Sequence, residues 1–116
     1  MEWTDNLLQM AFLAGIIFAT AGLIQYIFAP KKINSLYGYR TRSSMESEER
    51  WHFAQKYSAL KLIAVGLFLL VVSLLPLIVA VGETVQIVLQ PGIIMLSITY
   101  LFYSTEKALK TRFPKN

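Results

Sequence analysis

Two tyrosines flank a glycine, and an arginine and a threonine follow at once: Tyr37-Gly38-Tyr39-Arg40-Thr41. Asn34 stands just upstream; Ser44, Glu48, Trp51 and the pair Ala54-Gln55 follow downstream. Ordinary connecting loops are not built this way. Gly38 permits backbone angles that its neighbours resist, so the two phenol rings flank a bend. Arg40 offers five donors in a planar fork, matched to a carboxylate, a phosphate or the carbonyls at a helix end. Trp51 brings a large apolar face and one N–H donor. Two readings are open. In one, Arg40 ties the segment to the end of a transmembrane helix, and the aromatic residues anchor it at the headgroups. In the other, the segment touches a ligand or a protein partner directly.

Other chemistries lack their residues. The sequence has no cysteine and one histidine, His52. A thiolate metal site and a disulfide are therefore excluded. Glu46, Glu48 and Glu49 cluster near His52 with no second histidine to complete a metal set. No Ser–His–acid trio is spaced for nucleophilic catalysis. His52 is expected to face solvent or headgroups. Ion pumps and proton-coupled transporters need acids or bases at membrane depth, and the apolar runs described next hold none. Neither an enzyme nor a cofactor is expected.

The elements that position the segment are apolar. The chain has 116 residues, 55% of them hydrophobic and 16% charged, and its mean hydropathy is +0.50. A soluble domain carries about 25% charged residues. Three runs reach the ~20 residues that cross a bilayer core: 7–29, 62–81 and 85–103. Asp5 or Asn6 is placed to cap the first, and Pro30 ends it. The N-terminus lacks the basic region of a secretory signal, so the first run reads as a retained span. Gly82-Glu83-Thr84 makes a turn between the second and third. Pro76 and Pro91 fall inside these runs, where kinks are expected, most clearly at Pro91-Gly92.

Ser43 and Glu46 have capping-box spacing, so a helix is expected from Ser43. It either runs into the second span or lies on the membrane and bends into it. Trp51, Gln55, Ser58 and Leu62 share one of its faces. In the first span Ala11, Gly15, Ala19 and Gly22 form a stripe of small residues, which lets helix backbones approach closely. The stripe serves packing within the bundle, homo-oligomerisation or docking to a larger membrane subunit. Gln86 and Gln90 share a face and suit interhelical hydrogen bonds. Gln9, Gln25, Ser73, Ser97 and Thr99 are mild polar residues in the spans. The tail, 104–116, can extend the third span, with Glu106 and Lys110 paired at i, i+4.

Charge sets an expected orientation. The 30–61 segment carries Lys31, Lys32, Arg40, Arg42, Arg50, Lys56 and Lys61, and the tail carries Lys107, Lys110, Arg112 and Lys115. Together these are all the basic residues. The N-terminus and the turn carry only Glu2, Asp5 and Glu83. The positive-inside rule then puts 30–61 and the tail in the cytoplasm and the N-terminus outside. Trp3, Tyr26, Tyr100 and Tyr103 near the span ends suit an aromatic belt. The basic face should attract anionic lipid of the bilayer. Nucleic acid is a poor fit, because these charges line a membrane surface.

The segment resembles the signature of the SdpI family of small bacterial membrane proteins. That signature has an Asn, a Tyr/Gly-rich core ending in Gly-x-Arg-Thr, and a helix bearing Trp before a small polar patch. Asn34, Tyr37, Gly38, Tyr39, Arg40, Thr41, Ser44, Glu48, Trp51 and Gln55 carry the match, with one span before and two after. One departure is Arg42, where the family usually has proline. The family's best-known member has extra N-terminal helices; this chain resembles the shared three-helix unit. The resemblance implies one all-α domain: a bundle of three transmembrane helices with a cytoplasmic amphipathic segment, 30–61, between the first and second. It implies residence in the cell (inner) membrane and immunity to a secreted toxin peptide. From the best-known member it also implies signalling, in which the cytoplasmic face holds a transcriptional repressor. The rival expectation is a non-catalytic accessory subunit of a larger membrane complex.

Overall fold

The computed structural model describes residues 8–114, folded into three helices and a short 3-10 turn. Asp5, Asn6, Trp3 and Lys115 lie outside the described residues. Helix α1 is Gln9–Ile27, α2 is Glu48–Ser73 and α3 is Glu83–Arg112; the turn, Leu75–Leu77, follows α2. All three helices are long and apolar enough to cross a membrane.

α3 has 30 residues, which at 1.5 Å each make about 45 Å. A hydrocarbon core is about 30 Å thick. The excess gathers at the basic end, where α2 carries its charges and α3 all of its own but Glu83. There α2 is one uninterrupted helix from Glu48 into its apolar half. Of the two courses expected for the helix before the second span, α2 takes the first: it runs straight on into the span, and its residues from Glu48 form the first half of α2. That half turns Arg50, Trp51, Ala54, Gln55, Ser58 and Ala59 inward.

Two boundaries differ from the sequence expectation. α2 starts at Glu48, not Ser43, with Ser47 as cap accepting the Arg50 N–H at 3.1 Å. The reason is local competition. Thr41 and Ser44 bond each other's backbone N–H groups at 2.9 and 3.2 Å, and such side-chain bonds favour a turn over a helix. At the other end α2 stops at Ser73, so Pro76 sits in the 3-10 turn that closes the apolar stretch rather than inside the α-helix. Proline has no N–H to continue the ladder and disfavours helix in the residue before it. α3 continues through Pro91.

The small-residue stripe of α1 faces α2. A Cβ on Gly15 would lie 2.8 Å from the Gly66 carbonyl oxygen and 2.8 Å from Leu70 Cγ. Gly22 lies as tightly against Ala59 and Ile63. The first turn of α1 is held by its neighbours: Leu8 N–H donates to the Ser73 carbonyl at 2.9 Å, and Ala11 N–H to Gln90 Oε1 at 3.1 Å. Away from these seams, Leu13, Ile17, Ile87, Val88, Met95 and Leu96 are exposed, as side chains facing lipid must be.

Candidate functional site

The loop between α1 and α2 is held by side-chain hydrogen bonds. Asn34 Oδ1 accepts from the N–H groups of Leu36 and Tyr37 at 2.9 and 2.7 Å, a turn that asparagine makes with its own backbone. Tyr37 then donates its hydroxyl to the Phe28 carbonyl at 2.9 Å. That carbonyl belongs to the C-cap of α1, a group left unpaired by the helix itself. Trp51, fully buried, donates Nε1–H to the Pro30 carbonyl at 2.8 Å. The end of α1 is thus stapled from the loop and from α2.

Gly38 is where the chain bends. Its φ is +100°, in the region that disfavours side chains. A Cβ there would meet Gln55 Oε1 and lie 2.7 Å from Pro30 Cγ. The bend aims Tyr39 into the bundle. Gln55, wholly buried, accepts the Tyr39 N–H at 2.7 Å and donates to the Tyr39 carbonyl at 2.8 Å. One side-chain amide therefore satisfies both backbone groups of a buried residue. Gln25 of α1 donates to the Gln55 carbonyl at 2.9 Å and to Ser58 Oγ at 2.8 Å.

The Tyr39 ring packs with Ala54 and Leu109 and lies 5.5 Å from the Phe102 ring centroid. Its hydroxyl donates to Glu106 Oε2 of α3 at 2.7 Å, and Thr41 Oγ1 donates to the same oxygen at 2.8 Å. Burial, and next the hydrogen bond to the Glu106 carboxylate, push the phenol far above its ordinary 10.0. Tyr39 is a neutral donor wherever cells live. Ser44, also buried, donates back to the Thr41 carbonyl at 2.9 Å.

Arginine roles are reassigned. Arg40 is exposed and donates Nε–H to the Asn34 carbonyl at 2.9 Å, a bond within the loop. Arg50 instead reaches the end of a long helix. It donates to the Ser43 carbonyl and hydroxyl, each at 2.8 Å, and to the Phe113 carbonyl at 3.0 Å. It also pairs with Glu46 at 3.6 Å and lies 5.5 Å over the Phe113 ring. Phe113 is the C-cap of α3. Glu48 is exposed in the first turn of α2, where an acid suits the helix dipole.

The structure therefore gathers Asn34, Tyr37, Gly38, Tyr39, Thr41, Ser44, Trp51 and Gln55 into one polar knot joining all three helices. Arg40 lies on its surface and Glu48 beside it. The stripe Ala11, Gly15, Ala19, Gly22 stands apart, along the α1–α2 seam. Sequence reasoning missed Gln25, Arg50 and Glu106 as members of the knot. Arg50 carried a signal: a cation in the first turn of a helix opposes the dipole, so something else must hold it. Gln25, read as a mild polar residue in a span, gave none.

Comparison with known proteins gives the family. The SdpI/YfhL protein family matches residues 31–104, from the start of the loop to the last turns of α3. The uncharacterized protein YfhL of Bacillus subtilis (strain 168) is 38% identical over 96 residues, which are 83% of this chain and 82% of that protein. No solved structure matches.

Proposed function

The chain belongs to the SdpI/YfhL protein family, and from that premise we propose that it is a non-catalytic membrane protein that protects its cell against a secreted antibacterial peptide. In this reading it spans the cell membrane three times, with its N-terminus outside and the knot and tail in the cytoplasm. The charge distribution supports that orientation. The knot transmits the state of the helices to the cytoplasmic face, where a regulator docks. The observation that carries the reading is the knot itself: the family's motif residues tie the loop to α1, α2 and α3 together. A tilt of any helix reaches the exposed residues Leu36 and Arg40.

The accessory-subunit reading loses its proposed surface. The stripe from Ala11 to Gly22 is turned toward α2, so a larger subunit would need another face.

The test is a protection assay. Expression of the chain in a sensitive cell should raise survival under the secreted peptide. Arg40→Ala, at an exposed position whose one bond lies within the loop, should insert normally and lose signalling to a reporter while keeping protection. Normal insertion of the unaltered chain without protection would remove the immunity reading.

A further inference from the structure

We propose that the seam between α2 and α3 binds one anionic phospholipid, its phosphate held at Lys61, Lys107 and Arg112 and an acyl chain lying in the crevice beside Leu96. The inference does not depend on which face of the membrane is cytoplasmic, or on the immunity reading.

The two helices are antiparallel, so their charged ends coincide. On α2, Phe53, Tyr57 and Lys61 recur every four residues along one stripe. On α3, Arg112, Lys107, Tyr103 and Tyr100 face them across a groove of about 790 Å³. Three cations line this groove, and no Asp or Glu does. The nearest acid in sequence to Lys107 is Glu106, whose carboxylate accepts from Tyr39 and Thr41 in the knot.

The cations stand over aromatic rings. Lys61 Nζ lies 5.6 Å from the Tyr57 centroid and 5.3 Å from that of Tyr100. Lys107 Nζ is 5.9 Å from the Tyr103 centroid, and the Arg112 guanidinium is 5.9 Å from that of Phe53. Lys61 also donates to the Tyr100 hydroxyl at 3.0 Å. An ammonium has three donors, so Lys61 keeps two for phosphate oxygens. Tyrosine and lysine, with apolar stems and polar tips, suit the headgroup layer.

Tyr100 continues the site toward the bilayer centre. It also lines a second crevice, of about 480 Å³, with Ala64, Val65, Phe68, Ile93 and Leu96. Ser97 is the single polar side chain there besides the tyrosine hydroxyl. From Lys61 to Phe68 α2 rises about 10 Å, a length over which a chain of methylenes can lie. Both volumes fall within the roughly 300–1,000 Å³ of small-molecule sites. A free phosphate would use the groove and leave the crevice empty. A zwitterionic lipid would use the crevice and set its own cation beside three others. An anionic phospholipid matches both halves.

The test is native mass spectrometry of the full chain released from neutral detergent, with phosphatidylglycerol and phosphatidylcholine of equal chain length in competition. Phosphatidylglycerol adducts should dominate. Each membrane-surface cation is worth up to about fivefold in affinity. The triple variant Lys61→Gln, Lys107→Gln, Arg112→Gln should therefore lose the preference, by up to about a hundredfold. Lys31→Gln, Lys32→Gln, Arg42→Gln removes equal charge elsewhere and should keep it. Ala64→Phe fills the crevice at an exposed helix position and should shorten retention while every cation remains. It decides the question even where the triple variant fails to fold. The proposal is overturned by equal retention of both lipids, by an equal loss in the control triple, or by unchanged retention in Ala64→Phe. Displacement by glycerol 3-phosphate at the same concentration as the lipid would mark a plain phosphate site and overturn it too.

Discussion

At the scale of residues, Gln55 holds the centre of the knot. Its amide satisfies both backbone groups of Tyr39. Gln55→Leu removes the partner of the Tyr39 N–H and leaves its carbonyl only the longer bond from the Ser44 hydroxyl at 3.3 Å. A buried polar group left unpaired costs about 1–3 kcal/mol, so the variant should lose roughly that much. The thermal unfolding midpoint in detergent reads this; a drop no larger than that of exposed Ser35→Ala would refute the assignment. Tyr39 gives a pH signature. Its folded value is raised above 10.0 by burial and by Glu106. Below pH 10.0 the phenol is protonated in both states, and its contribution is fully present. Above that, the unfolded phenol ionises first and stability falls. Tyr39→Phe should flatten this alkaline limb of the stability curve, and parallel curves for the two proteins would sink the idea. The types of these residues were legible in the sequence: a glycine between tyrosines announced a bend, and Trp51 and Gln55 shared a face. Their partners were not. The fork of an arginine fits any carbonyl, so sequence alone could not tell that Arg50 rather than Arg40 reaches the end of α3.

At the scale of elements, the apolar runs were legible because bilayer thickness fixes their length and leaves them uncharged. Their ends were less so, because short polar side chains decide them. Ser43 and Glu46 had the right spacing for a cap, yet Thr41 and Ser44 closed a turn there first and Ser47 became the cap. The seam between α1 and α2 makes the strongest demand. At Gly15 an added Cβ would stand 2.8 Å from the Gly66 carbonyl, which is backbone and cannot rotate away. Gly15→Leu must therefore push the helices apart. Overpacking of this kind costs about 1–3 kcal/mol or more. The separation also loosens the Gln25 bonds, because Gln25 and Gly22 lie on the same side of α1. Gly15→Leu should lower the unfolding midpoint more than Leu13→Gly on the exposed face, even though leucine is the better helix former. If Leu13→Gly proves the more damaging, propensity rather than close approach governs α1.

At the scale of the whole molecule, the basic residues gather at one end of the described bundle, and the turn at the other carries a single acid. Every lysine and arginine lies in 31–61 or 107–115, and the helices bring those among the described residues to the same end. The turn between α2 and α3 at the opposite end has Glu83 alone. This asymmetry was legible in the sequence, since charge position along the chain needs only the number of spans to become charge position across the membrane. It yields a direct test of orientation. The chain has no native cysteine, so single cysteines report without background. Ser35 sits exposed in the basic loop and Thr84 exposed at the opposite end, and replacing either changes no charge. In intact cells an impermeant maleimide should label Thr84→Cys and leave Ser35→Cys unlabelled until the membrane is opened. The reverse pattern would place the knot outside, where it would face the peptide instead of a cytoplasmic regulator. Labelling of both in intact cells would mean a mixed insertion. The basic excess would then be too weak to orient the bundle, and the knot's residues would have to be explained by packing alone.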